Sequence, residues 1–217
     1  MIEVLLFIAI FTYGGNWMQF NLLTTKIWKP RAHFTHFHNE PLLSNIEKKV
    51  GLRFKIHVQN SDRIFGFMLG LPFNPTMIVS QGAVTHLDDN GLEWLILHEA
   101  GHCIHWHNLK SYVLFALLTL GGVWVISNWQ LGVMGSVIVG FIDILVWNQL
   151  RRLLEFQADA FALSKLTEAQ GMVSANQTMK EKAKSIFYNN FLLHLLFTPH
   201  LTYDRRIAMA RRKLLLN

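Results

Sequence analysis

The chain holds one cysteine, Cys103, in 217 residues. No intramolecular disulfide can form, which agrees with a reducing compartment. Charge is also scarce: 16% of residues are Asp, Glu, Lys or Arg against the usual quarter, while 51% are hydrophobic. Such a chain is too apolar for an ordinary soluble domain, and lipid is the natural explanation. The charge that exists is segregated, because none of the 20 Lys and Arg falls within residues 1–25 or 111–150. Those two stretches are therefore the candidate membrane segments. There is no internal repeat and no long flexible linker. There is also no aromatic-basic platform and no known nucleic-acid motif. The net charge of +6 and pI near 9.6 thus point to anionic lipid rather than nucleic acid.

Residues Val4 to Leu23 form a mostly apolar run, interrupted by Gly14, Gly15, Asn16 and Gln19. A helix of about 20 residues matches the hydrocarbon thickness of a bilayer. Glu3 stands where a secretory signal would carry basic residues, and no small-residue cleavage site follows, so a retained anchor is expected. Tyr112–Ile126 and Leu131–Trp147 are two further apolar runs around the polar and aromatic tip Ser127-Asn128-Trp129-Gln130. They read as a transmembrane hairpin. Asp143, inside the second run, is assigned no catalytic role. Lys110, Arg151 and Arg152 flank the hairpin, and Lys26, Lys29 and Arg31 follow the first run. The positive-inside rule then places the soluble parts in the cytoplasm, at the cell's inner or plasma membrane.

Between these segments the periodicity changes. His33, His36 and His38 crowd a stretch with no regular spacing and are expected to be solvated. Asn39 and Pro41 suggest a helix start, with Leu42, Ile46 and Val50 on one face. Leu52, Phe54, Ile56 and Val58 then alternate with polar residues, as in a half-buried strand, and Ile64–Leu69 and Thr76–Ser80 suggest two more. Asp88, Asp89 and Asn90 can cap a helix whose Leu92, Leu95 and Ile96 form an apolar face leading into His98–His102 and, if the helix continues, into the hairpin. Gln177–Leu196 and Arg205–Leu216 read as helices around a break at Pro199.

The chemistry-bearing signal is His98-Glu99-Ala100-Gly101-His102 followed, fifty-odd residues on, by Glu155-Phe156-Gln157-Ala158-Asp159. Two His four apart share one helical face, so both rings can reach one ion, and the Glu after the first can reach a water beside it. A catalytic zinc site wants three protein ligands and an open position. His98, His102 and Glu155 meet that count, with one Zn2+ per chain. Glu99 would take the water's proton and return it to the leaving amine. Asp159, one turn beyond Glu155, could accept the second ring N–H of a ligand His. His105 is about 10 Å along the helix from His98, too far to share the ion, and like His107 it is expected to serve packing or an interface.

In these motifs the chain resembles the HtpX-type membrane gluzincins of the M48 peptidase family, which includes the CAAX prenyl proteases and the Oma-type protease. The likeness runs from about Leu42 to Ile207 and includes Ile78–Val84, similar to the family's strand before the zinc helix. It implies a peptide-bond hydrolase. It also implies an oxyanion role for a late His and an Arg six residues on, here His200 and Arg206, although Pro199 precedes this His and Leu201 follows it. Phe65–Gly70 takes the place of the family's edge strand, which pairs with extended substrate; the family's Asn is missing there.

The expected architecture is α+β, mainly helical, with a small antiparallel or mixed sheet and about three transmembrane helices. It divides into an anchor (1–25), the first part of a protease domain (26–110), a hairpin (111–150) and a second protease part (151–217). The expected function is a zinc endopeptidase acting on membrane or membrane-adjacent proteins, for quality control or regulated processing. The alternative is a metal-stabilised membrane adaptor or signalling protein with little turnover. Prenyl-peptide processing ranks below both, since three spans cannot alone enclose a large chamber.

Overall fold

A computed structural model describes residues 34–69, 75–183, 194 and 198–215. The N-terminal run expected to anchor the chain, His33, and residues 184–193 and 195–196 of the helix expected over 177–196 lie outside the described residues. In chain order the elements are β1 (Phe34–His36), α1 (Glu40–Val50), β2 (Lys55–Gln59), β3 (Gly66–Leu69), β4 (Thr76–Ser80), α2 (Gln81–His86), α3 (Asp89–Ile104), α4 (His107–Asn128), α5 (Val133–Lys165), α6 (Gln170–Lys182) and α7 (Tyr203–Leu214). The protein is thus mainly helical with one small sheet.

The four strands lie in the order β1-β2-β4-β3. β2 runs parallel to β4, and the outer pairs are antiparallel, so the sheet is mixed. β2 starts at Lys55 rather than Leu52, because the chain leaving α1 is held by a bond from the Phe54 N–H to Glu47. β1 makes a strand of residues that had no legible period, His36 pairing with His57. β4 ends at Ser80, whose hydroxyl accepts the Ala83 N–H at 3.1 Å and starts α2. The stretch Ile78–Val84 is therefore the end of a strand followed by a helix, not a strand throughout.

Asn39 caps α1 by accepting the Leu42 N–H, and Asp88 caps α3 by accepting the Gly91 N–H at 2.7 Å. Both satisfy amides that have no partner within the helix. α3 is the centre of the fold. Trp94, Ile96, Leu97 and Ala100 are sealed from solvent, and the helix is buried on nearly every face by the sheet, α5 and α6. A helix buried on nearly every side is a core helix. Glu93 is also buried on it, neutralised by Lys49 of α1 and bonded by the Thr167 N–H and hydroxyl.

α3 does not run on into α4. Trp106 takes a left-handed conformation at φ 58°, and its N–H turns back to the Cys103 carbonyl. The helix is interrupted where no Gly or Pro announces a break. α4 and α5 then form an antiparallel pair, with Ile126 and Trp147 buried between the arms beside Phe115 and Leu118. Among the described residues these are the two helices long and apolar enough to cross a bilayer. Leu117, Leu120, Trp124, Met134, Ile138 and Ile142 point outward and exposed. A soluble core helix would bury such side chains. α5 is 33 residues long and passes residue 150 without a break, joining the apolar arm directly to Glu155.

Candidate metal centre

The i, i+4 spacing on α3 brings His98 Nε2 and His102 Nε2 to 3.2 Å from each other. Glu155 arrives from α5, which can lie close only because α3 is narrow here. A Cβ on Gly101 would stand 3.0 Å from the Phe161 ring and 3.3 Å from the Ala158 backbone. Across that contact the Glu155 carboxylate oxygens lie 3.5 Å from His98 Nε2 and 3.4 Å from His102 Nε2. Ligands about 2.0–2.1 Å from a tetrahedral ion stand about 3.3 Å apart. The two imidazole nitrogens therefore already have the separation of two tetrahedral corners, and a different Glu155 oxygen stands at a similar distance from each of them. Among the described residues they are the one His, Cys, Asp or Glu group compact enough to hold an ion. Two imidazoles with one carboxylate fit zinc in chemistry as well as in spacing.

Beyond this group the contacts are charged and buried. His98 Nδ1 lies 2.9 Å from Asp159 Oδ1, an oblique but close approach to a fully buried carboxylate. Burial alone would lower the His98 pKa, but Asp159 and Glu155 overcome it and raise it to about 10. The field that holds a proton so firmly is the field that attracts a cation, which would displace that proton. At His102 burial dominates and lowers the pKa, favouring the neutral ring. Burial would raise the Glu155 pKa, yet His200 and His102 hold it well below the ordinary range. His200 Nδ1 is 3.0 Å from Glu155, with its ring about half exposed.

Arg206 reaches the same group. Its Nε donates to Asp159 at 2.7 Å and its Nη2 to Glu155 at 2.9 Å, all three side chains being buried. The guanidinium is turned onto the two carboxylates that hold and orient the imidazoles, and it lies over the Trp94 ring at 5.5 Å. These contacts put Arg206 against the carboxylates of the group that His98, His102 and Glu155 form.

Glu99, beside the group on α3, is buried, and its Oε2 accepts the Met68 N–H of β3 at 3.1 Å. Burial is the main cause that raises its pKa to about 7. Gly66 lets β3 come this near, since a Cβ there would meet Glu99 Cγ at 3.2 Å. β3 is an outer strand of the sheet, so the stretch expected as an edge strand does border Glu99.

Sequence reasoning missed two groups. His107 is almost fully buried, its Nδ1 3.0 Å from His102 Nδ1 and its Nε2 3.2 Å from Gln157 Oε1. It reaches His102 only because of the turn at Trp106. Arg152, read as a topological charge, donates from Nε and Nη2 to the Thr198 carbonyl, tying α5 to the segment that carries His200. Neither had a sequence signal, since both depend on where the chain turns. Asp143 lies twelve residues, about 18 Å, up α5 from Glu155.

Residues 42–213 match the profile of Peptidase family M48. Among solved structures the fold is similar to the crystal structure of S. mikatae Ste24p, with a TM-score of 0.66 and 17% sequence identity. That likeness covers 95% of this chain and 61% of the other, so the chain spans less than two thirds of that protein's length. Comparison with curated protein sequences gives no match.

Proposed function

Because the chain belongs to Peptidase family M48, we propose that it is a zinc-dependent integral membrane endopeptidase that cleaves membrane or membrane-adjacent proteins. The observation that carries this reading is the compact group His98, His102 and Glu155 beside the buried Glu99. These three residues hold the ion, and Asp159 orients His98. When bound, zinc supplies Lewis acidity, lowering the pKa of water toward 7 and polarising a carbonyl.

The remaining steps fall to the protein. Extended substrate lies along the outer strand β3, where backbone pairing needs no particular side chain. Glu99 takes the proton of the attacking water and hands it to the leaving amine. His200, half exposed and 3.0 Å from Glu155 through Nδ1, donates to the developing oxyanion. Arg206 holds Glu155 and Asp159 in place. The α4–α5 pair is the membrane hairpin, with Lys110, Arg151 and Arg152 on the cytoplasmic side. α4 begins five residues after His102, so the centre lies at the foot of the hairpin, close to the bilayer surface. That position favours substrates in the membrane or beside it. The division into an anchor, two protease parts and a hairpin stands as part of this proposal.

The test is Glu99→Gln in the purified full chain. Zinc content by elemental analysis should stay near one per chain, while cleavage of an unfolded polypeptide in proteoliposomes should be lost. Cleavage persisting in the zinc-loaded variant refutes the assignment. Cellular function surviving the substitution points to the adaptor reading.

A further inference from the structure

His107 and Gln157 continue the centre outward from His102 in a single line. On the reading that the centre binds a metal, we propose that these two are positioning residues. They set the tautomer of His102 so that its Nε2 lone pair faces the ion.

The direction of the line follows from what each atom can do. A carboxamide oxygen only accepts, so the 3.2 Å contact with Gln157 Oε1 places the His107 proton on Nε2. A neutral imidazole carries one proton, and His107 is buried between a carboxamide and another imidazole, where a charge would be costly. Its Nδ1 is then a lone pair, and the partner at 3.0 Å, His102 Nδ1, must donate. His102 Nε2 is left unprotonated. That atom is the one 3.2 Å from His98 Nε2 and 3.4 Å from Glu155. The opposite direction would put a proton on His102 Nε2, in the middle of the donor group. The two imidazoles are thus oriented differently, His98 by the Asp159 carboxylate and His102 by a neutral pair.

The backbone supports the assignment. On an unbroken helix a residue five positions after His102 would be rotated by about 140° and displaced by about 7.5 Å, out of reach of its ring. The left-handed Trp106 interrupts the helix, and His107 lies 3.0 Å from His102 beyond it. A residue with a Cβ rarely adopts that conformation, and such positions persist where surrounding structure holds them.

The experiment measures zinc affinity of the full chain in detergent by competition with a chromophoric chelator, with thermal melting alongside. His107→Leu, which keeps bulk but accepts no hydrogen bond, should bind zinc roughly 10–100-fold more weakly. His107→Asn places Oδ1 where Nδ1 stood and should stay within about threefold of wild type. Equal affinity of His107→Leu and wild type overturns the proposal, as does an equal loss in the Asn and Leu variants, which would mean packing alone. Should His107→Leu not fold, the exposed Gln157 gives the same decision. Gln157→Glu, which can only accept, should keep the affinity that Gln157→Leu loses, and indistinguishable affinities overturn it. A wild-type chain that takes no zinc from the chelator overturns the metal-centre reading itself, a result distinct from these.

Discussion

Replacing Arg206 with Met separates two roles for that residue. Met has similar length and no charge, so the change withdraws the guanidinium from Glu155 and Asp159 while filling most of its space. Both carboxylates are at most 2% exposed, and the bonds lost are 2.9 and 2.7 Å long. Removing one partner from such a buried network costs about 3–5 kcal/mol, because the remaining charges cannot reach water. At about 2–4 °C per kcal/mol for a chain of this size, the melting temperature in chelator should fall by roughly 6–20 °C. Added zinc should recover part of that loss, since it neutralises Glu155, with an affinity roughly 10–100-fold weakened. Arg205→Met is the control: Arg205 is exposed, and its loss should shift melting little. The assay is thermal unfolding followed by circular dichroism, with and without zinc. The contrary outcome is an Arg206→Met chain that melts like Arg205→Met and binds zinc normally while losing about 10²–10³ in kcat, the mark of a side chain that serves the oxyanion without bracing the carboxylates. That pattern would refute the positioning role.

Two further outcomes follow from packing around the same centre. Gly101→Val puts a branched side chain where even a Cβ stands 3.0 Å from Phe161 and 3.3 Å from Ala158. It should push α5 from α3, cost about 1–3 kcal/mol or more and weaken zinc binding; unaltered chelator competition in a folded variant would contradict the close-approach argument. Cys103 is 2% exposed, and burial pushes its thiol up to about 11. It should resist maleimide at pH 8 until the chain is unfolded, and rapid stoichiometric labelling of the folded protein would contradict this. Because the folded thiol stays protonated where the unfolded one ionises, stability should fall as pH rises between about 9 and 11.

Much of the fold was legible because its signals are local. Asn39 and Asp88 are residue types that favour helix starts, and both do cap helices. Thr76–Ser80 is a short apolar run bounded by turns, and it is a strand with those limits. The two apolar runs meeting near Asn128 contain no Lys or Arg and form a helical pair. Less local features were not legible. β1 is three residues long, too short for any period, and exists because β2 offers an edge. The turn at Trp106 carries no breaker residue and is held by what His107 meets.

The centre divides along the same line. By itself the sequence determined that His98, Glu99 and His102 occupy adjacent positions of one helix, because helical geometry links spacing directly to face. It likewise set Glu155 and Asp159 one turn apart on another. Only the tertiary structure decided that α5 approaches α3 at Gly101 closely enough for Glu155 to stand 3.4–3.5 Å from both imidazoles. It also decided that Arg206 faces carboxylates and that His107 faces His102. The distance between helices, and the direction in which a long side chain turns, are settled by packing between residues remote in the chain; no local pattern encodes them.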